Sequence, residues 1–124
     1  MQRVLIVDDH GAFRAAARLL LERGGFEVVG EAADGEEAVE AVARLRPDVV
    51  LLDVQLPGDD GFRICERILA GRGESSRPTR PTVVLTSGRP AVTFRRRLAD
   101  TRAAGFIPKA DLTAAALTAL IGAS

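Results

Sequence analysis

Residues 48–61 read DVVLLDVQLPGDDG. The apolar stretch Val49-Val50-Leu51-Leu52 runs straight into a carboxylate, Asp53, and then into the turn Leu56-Pro57-Gly58. Four apolar residues in a row, without alternation, mark a strand covered on both faces, as in a parallel sheet flanked by helices. A charge at the end of such a strand must reach water or meet a partner, because a lone buried ion is costly.

Similar short runs lie outward in both directions: Val4-Leu5-Ile6-Val7, Phe26-Glu27-Val28-Val29, Val83-Val84-Leu85 and Phe106-Ile107. Phe26 to Ala32 is mixed and reads as an edge strand. Helical patterns separate the runs. Phe13, Ala17, Leu20 and Leu21 form one stripe, stopped by Gly24-Gly25. Asp34 and Glu37 have the spacing of a capping box. Ala38, Val42 and Leu45 follow on one face, Glu40 and Arg44 stand four apart, and Pro47 ends the helix. Phe62, Cys65, Ile68 and Leu69 make a third stripe. Pro90 opens a fourth helix that reaches about Ala104, and Asp111 caps a fifth carrying Leu112, Ala116, Leu120 and Ile121. Gly71 to Pro81 is polar, rich in Pro and Gly, and reads as a surface connection. The order βα, five times over, predicts an α/β, doubly wound parallel sheet of flavodoxin-like (βα)5 type, with strand order 2-1-3-4-5.

A chain of 124 residues, 47% apolar and 27% charged, fits one soluble domain. The formal net charge of zero argues against direct nucleic-acid binding, which needs an excess of Lys and Arg. Cys65 is the only cysteine, so no internal disulfide forms. The amino terminus lacks the apolar core of a signal peptide, and no run is long enough to cross a membrane. The expected location is cytoplasmic.

Sites in open parallel sheets form beyond the carboxyl ends of the strands, at the switch point. The first strand delivers Asp8-Asp9 there, the third Asp53, the fourth Thr86-Ser87 and the fifth Lys109. In the 2-1-3-4-5 order three carboxylates share one crevice. Two unit charges about 4 Å apart cost roughly 4 kcal/mol at an effective dielectric of 20, so protons or a cation must relieve them. Hard carboxylate oxygens suit Mg²⁺, with Mn²⁺ as the alternative. The turn at Leu56-Pro57-Gly58 can hold the Gln55 carbonyl near that cation. Lys109 adds a point charge suited to a phosphoryl group, and Thr86 a hydroxyl. The set describes phosphoryl transfer onto an aspartate. Each member alone has a plainer reading: Asp53 as a turn former, Asp8-Asp9 as a helix cap, Thr86 as a strand residue, Lys109 as surface charge. Period-2 alternation lets only one of Thr86 and Ser87 face the crevice. His10, beside the acid pair, reads as a loop or helix-start residue, with a phosphate donor or metal ligand as the alternative; Cys65 reads as a buried helix residue, and Arg95-Arg96-Arg97 as solvated charge spread around a helix, with a partner-docking surface second.

Five stretches carry a family resemblance: Val4 to His10, Asp48 to Gly58, Asp60-Gly61, Val83 to Ser87 and Gly105 to Lys109. Together they resemble the receiver domain of bacterial two-component response regulators over nearly the whole chain, taken as one domain, residues 1–124. Asp8-Asp9-His10 and Gly105 to Leu112 look most like receivers joined to a LuxR-type helix-turn-helix domain. The resemblance implies that Asp53 accepts a phosphoryl group from a sensor histidine kinase. It implies that Asp9, Asp53 and the Gln55 carbonyl bind Mg²⁺ directly, with Asp8 acting mainly through water. Lys109 would pair with the acyl phosphate, Thr86 would swing its hydroxyl to it, and Phe106 would rotate inward as the switch aromatic. The output would be transcription through a domain outside this chain, or docking by a stand-alone regulator. In the family, homodimers often form through the fourth helix, fifth strand and fifth helix, and helices one and five are a second possibility.

Three departures stand out. Ala110 follows Lys109 where the family usually has Pro and often a cis peptide. Gly11 stands where a larger residue or Pro is frequent. Gly88, two beyond Thr86, has no side chain to orient an attacking water. Other classes are disfavoured. An aspartate-dependent phosphohydrolase resembles Asp-x-Asp at its nucleophile, and Asp53-Val54-Gln55 lacks the second Asp. A flavin phosphate would be repelled by Asp8-Asp9. A docking module that no longer accepts phosphate would have no use for the acidic set, Thr86 and Lys109. The expected chain is no enzyme beyond its own phosphorylation and dephosphorylation.

Overall fold

The computed structural model describes residues 1–70 and 80–122. In chain order these form β1 (Arg3–Val7), α1 (Gly11–Arg23), β2 (Glu27–Ala32), α2 (Gly35–Leu45), β3 (Val49–Asp53), β4 (Gln55–Leu56), β5 (Asp59–Asp60), α3 (Gly61–Ala70), β6 (Thr82–Ser87), α4 (Arg95–Asp100), β7 (Gly105–Pro108) and α5 (Ala114–Gly122). β4 and β5 are a two-residue hairpin lying apart. The five longer strands make one parallel sheet in the order β2-β1-β3-β6-β7, the flavodoxin-like winding expected. β2 is an edge strand, as its mixed pattern predicts. Most of the connection read from Gly71 to Pro81 lies outside the described residues.

Alternation along the strands divides the core into two layers. Leu5, Val7, Val50, Leu52, Val83 and Leu85 face α2 and α3, with Ala38, Ala41, Ile64 and Cys65. Val4, Ile6, Val49, Leu51 and Val84 face α1 and α5, with Ala17, Leu21 and Leu117. Val4 to Val7 and Val49 to Leu52 are wholly buried, so covering both faces stabilises the sheet by about 1.5–3 kcal/mol for each large side chain. The same parity matters beyond the core. Asp53 continues the Val49-Leu51 face and Thr86 the Val84 face, both toward α1 and α5, whereas Ser87 has the parity of Leu85.

Helix ends depart from the sequence reading in instructive ways. Asp34 caps α2 by accepting the Glu37 N–H at 2.9 Å, while the Glu37 carboxylate accepts from Ala33 N–H, one residue before the position a capping box predicts. Glu40 and Arg44 form no ion pair among the described residues, so α2 rests on its cap and its buried face. The fourth helix does not reach Ala104. A 3-10 turn at Ala91–Phe94 leads into α4, which stops at Asp100. Thr101 turns extended there and its hydroxyl accepts the Ala103 N–H, and Ala104 N–H then bonds the Val83 carbonyl to start β7. Sheet pairing therefore ends the helix. The cap of α5 is Thr113, whose Oγ1 accepts the Ala116 N–H at 2.9 Å; Asp111 instead belongs to a 3-10 turn, Lys109–Asp111.

Cys65 is fully buried on α3, and burial pushes its thiol up to about 11. At neutral pH it is a covered, protonated thiol and a poor nucleophile. Iodoacetamide is expected to leave the native protein unmodified and to add one carbamidomethyl group in urea, read by intact mass. Rapid modification of the native protein would contradict this packing.

Candidate functional site

The strand registers bring the predicted residues to one edge. Val7 pairs with Leu52, so Asp8 and Asp53 leave β1 and β3 side by side. Asp53 pairs with Thr86, and Ser87 with Pro108, which puts Lys109 one step past β7 on the same edge. Backbone bonds continue the ladder beyond the strands: Asp8 N–H to Ala32 O, and Val54 N–H to Thr86 O. The carboxylates are therefore carried on fixed backbone.

Asp8 and Asp53 are buried, with Asp53 only 2% exposed. The Lys109 ammonium serves both: Nζ is 2.7 Å from Asp8 Oδ2 and 3.5 Å from Asp53 Oδ2. Nζ also lies 4.6 Å from the centroid of the Phe13 ring on α1. Burial pushes the Asp53 carboxyl above the ordinary range. The Gln55 N–H, 3.0 Å from Oδ1, pulls it down, the Asp8 charge pushes it up, and Lys109 pulls it down; the net direction is upward. Burial alone would lower the Lys109 ammonium, but the hydrogen bond to Asp8 and the charges of Asp53 and Asp8 outweigh it and hold it above its usual value.

Asp9 is partly exposed at the mouth. His10, the first residue of the helix turn, places Nδ1 3.1 Å from Asp8 Oδ1 and 3.2 Å from Asp9 Oδ1. Ligand atoms from Asp8, Asp9, His10 and Asp53 all lie within 4.8 Å of one another. Three carboxylates against one ammonium leave two formal negative charges in a largely buried place. A divalent cation fits that deficit, and the oxygen donors fit Mg²⁺. Asp8 Oδ2 is already met by the Lys109 ammonium, so the uncompensated charge lies with Asp53 and Asp9.

The hairpin after Asp53 turns at Gly58, whose φ of +68° is the left-handed conformation that glycine adopts without strain. Gln55 and Asp60 pair across it, which holds the Gln55 backbone at the carboxylate. Thr86 is buried and donates to the Ile107 carbonyl at 2.7 Å, so its hydroxyl is bonded across to β7 and not to Asp53. Phe106 is half-buried on the other face of the sheet. Its ring is 5.9 Å from Phe94, which is 6.0 Å from Phe62. Arg97 folds over the Phe62 ring and pairs with Asp60, while Arg95 and Arg96 remain exposed. The Lys109-Ala110 peptide is trans, like every peptide bond described.

His10 is a helix-start residue as read, and its ring joins the acidic pair beside which the sequence places it. Sequence reasoning passed over other residues. Phe13, assigned only to a core stripe, also touches the lysine; its position four after Asp9, one helical turn on, was the available signal. Phe94, the last residue of the 3-10 turn before α4, links Phe62 to Phe106, with no signal in its neighbours. Gly61 closes against the strand end, its N–H 2.7 Å from the Val54 carbonyl.

The family model for the response regulator receiver domain matches residues 4–121. The response regulator GacA of Pseudomonas viridiflava is 38% identical over 110 residues, covering 88% of this chain and 49% of that protein. A LuxR-family two-component response regulator from Aurantimonas sp. SI85-9A1 superposes with a TM-score of 0.81 at 29% identity, over 98% of this chain and 86% of that one. The BeF3-activated N-terminal receiver domain of Klebsiella pneumoniae RstA gives a TM-score of 0.78 at 26% identity, over 95% and 94% of the two chains. The chain belongs to the response regulator receiver family, and its structural neighbours include LuxR-family regulators. It spans about half the length of the curated relatives it matches first. Among the described residues no helix is long and apolar enough to cross a membrane.

Proposed function

We propose that Asp53 is the phosphoacceptor of this receiver. The observation that carries this reading is the setting of its carboxylate: rigid at a strand end, tied by the Gln55 N–H at Oδ1 and facing the Lys109 ammonium at Oδ2. A carboxylate oxygen attacks the phosphorus of a histidine kinase's phosphoimidazole. The P–N bond breaks, the imidazole leaves with the electron pair, and an acyl phosphate forms on Asp53. Asp8, Asp9, Asp53 and the Gln55 carbonyl would hold Mg²⁺, which when bound neutralises charge on the phosphoryl oxygens. Lys109 orients and balances the new phosphoryl from the other side.

The switch follows from the same parity. Thr86 shares the face of Asp53, so exchanging its bond to Ile107 O for a phosphoryl oxygen needs only a side-chain rotation. Phe106, one position before Ile107, then feels the change through β7 and passes it to Phe94 and α4. The phosphoryl biases this two-state element because it bonds Thr86 in one state only. Relatives named as transcriptional regulators are about twice this long, and we infer an output in transcription through a further domain. Self-association, where it occurs, would use the face of α4, β7 and α5 or that of α1 and α5. The reading places the protein in the cytoplasm and assigns it no catalysis beyond its own phosphorylation and hydrolysis.

Acetyl phosphate with Mg²⁺ is the direct test. The parent is expected to gain one phosphoryl group by intact mass and Asp53→Asn none; equal gain by the variant would move the acceptor elsewhere. A second measurement concerns lifetime. A Cβ on Gly88 meets nothing within 4 Å, so a side chain can begin there without a clash, and Gly88→Glu is the variant to compare. The parent acyl phosphate is expected to live at least as long as that of Gly88→Glu. A shorter-lived parent would show that a bare position here speeds hydrolysis.

A further inference from the structure

Asp8 leaves β1 in a way that calls for a donor from elsewhere. Its N–H still belongs to the sheet, bonded to the Ala32 carbonyl at 3.0 Å. Its own carbonyl lies past the last paired residues, Val7 and Ala32, on a residue that is wholly buried. A backbone carbonyl so placed needs a partner. Arg14, from α1, supplies it: Nη1 donates to the Asp8 carbonyl oxygen at 2.6 Å. The same guanidinium donates from Nε to Glu31 Oε1 on β2 at 2.9 Å. Glu31 is held in turn by Arg18, one turn further along α1, whose Nε reaches Oε2 at 2.8 Å. The hydrogen bond from Arg18, joined by that from Arg14, holds the Glu31 carboxyl below its ordinary range against the opposing push of burial, so it is charged at neutral pH. One planar fork thus ties the edge strand, α1 and the peptide that follows β1.

We propose that Arg14 is a positioning residue for ion binding: it fixes the plane of the Asp8-Asp9 peptide and thereby aims the Asp9 carboxylate. The proposal rests on the reading of Asp9 as an ion ligand. A peptide unit is planar, so pinning the Asp8 oxygen sets the direction in which the chain leaves toward the Asp9 Cα. The Asp9 side chain is 33% exposed at the mouth, so its aim comes from the backbone more than from packing. Asp8 and Asp53 are better held, by neighbouring strands and by Lys109. The ion pairs of Glu31 are partly exposed and contribute little to stability, which leaves geometry as their main effect. The residue type fits the task. One flat guanidinium meets a carboxylate and a carbonyl together, whereas a lysine ammonium is a point charge.

Mg²⁺ binding is measured by calorimetry in the parent, Arg14→Met, Arg14→Lys and Arg18→Met, with urea unfolding in chelator to compare their stabilities. The sign of the effect separates position from charge. Deleting a cation beside an acidic crevice strengthens cation binding through the field alone, whereas a misaimed Asp9 weakens it. Arg14→Met is expected to bind Mg²⁺ at least about tenfold more weakly, the scale on which partners of metal ligands act. Arg14→Lys is expected to weaken binding too, although the charge is kept. Arg18→Met takes the same charge from the same carboxylate but leaves the bond to Asp8, so it is expected to match or exceed the parent's affinity. Unchanged or tighter binding by Arg14→Met would overturn the proposal. So would full affinity in Arg14→Lys, which would make charge sufficient, or an equal loss in Arg18→Met, which would assign the effect to general damage where α1 meets β2. Failure of the parent itself to bind Mg²⁺ would overturn the reading of the ion site, and the role of Arg14 with it.

Discussion

Lys109→Met is expected to destabilise the metal-free protein by about 3 kcal/mol, the lower end of what removing one partner of a buried ion pair costs. The reason is specific to this crevice. Asp8 is wholly buried, and the ammonium 2.7 Å from its Oδ2 is the cation that faces it. Removing that charge leaves Asp8 and Asp53 facing each other in a place that water reaches poorly. Methionine keeps the length of the stem, and its thioether can replace the ammonium against Phe13, so lost packing contributes little. Mg²⁺ should restore much of the loss, because a divalent ion answers the same excess of negative charge. Urea unfolding followed by far-ultraviolet circular dichroism, in chelator and in Mg²⁺, reads both effects; the absence of Trp and Tyr rules out their fluorescence as a probe. Asp8→Asn combined with Lys109→Met should be more stable than Lys109→Met alone, since the orphaned charge is gone. An unchanged midpoint in chelator would mean that Lys109 is solvated and does not hold the crevice together.

The particular residues explain which parts of this molecule were legible in its sequence. The sheet was legible because its strands are buried on both faces, so Val49 to Leu52 and Val4 to Val7 carry an unbroken apolar signal. The site was legible for the same reason: a charge that ends such a strand is conspicuous, and strand order alone carries Asp8, Asp53, Thr86 and Lys109 to one edge. Helix boundaries were less legible. α4 has no buried residue, so nothing in its pattern says where the pull of β7 takes over, and Thr101 ends it by a local hydroxyl bond. Thr113 outcompetes Asp111 as a cap because the 3-10 turn already occupies Asp111. The bridge through Phe94 depends on side-chain direction between elements, which no spacing along the chain encodes.

Gly61→Ala is expected to damage the fold, and to do it at the acceptor. Gly61 opens α3, and its N–H donates to the Val54 carbonyl at 2.7 Å. A Cβ there would stand 2.3 Å from the Asp53 carbonyl oxygen and 2.5 Å from Val54 Cα. Both are backbone atoms, so no side chain can rotate away; either the end of β3 or the start of α3 must move. Forced overpacking costs typically 1–3 kcal/mol, and a backbone clash this close belongs near the top, at about 3 kcal/mol. A shift of a few tenths of an ångström in Asp53 also disturbs its alignment with Gln55 N–H and Lys109. Phosphorylation by acetyl phosphate should therefore slow at least tenfold under conditions where the variant is still folded, in keeping with the sensitivity of such reactions to misplacement. Gly58→Ala is the comparison that isolates the cause. Gly58 has a positive φ but open space around it, so alanine there costs about 1–2 kcal/mol of backbone strain with no clash. Stability losses of similar size with a rate loss only in Gly61→Ala would show that the glycine is required by the position of Asp53. Equal rate losses in both would assign the effect to the hairpin as a whole.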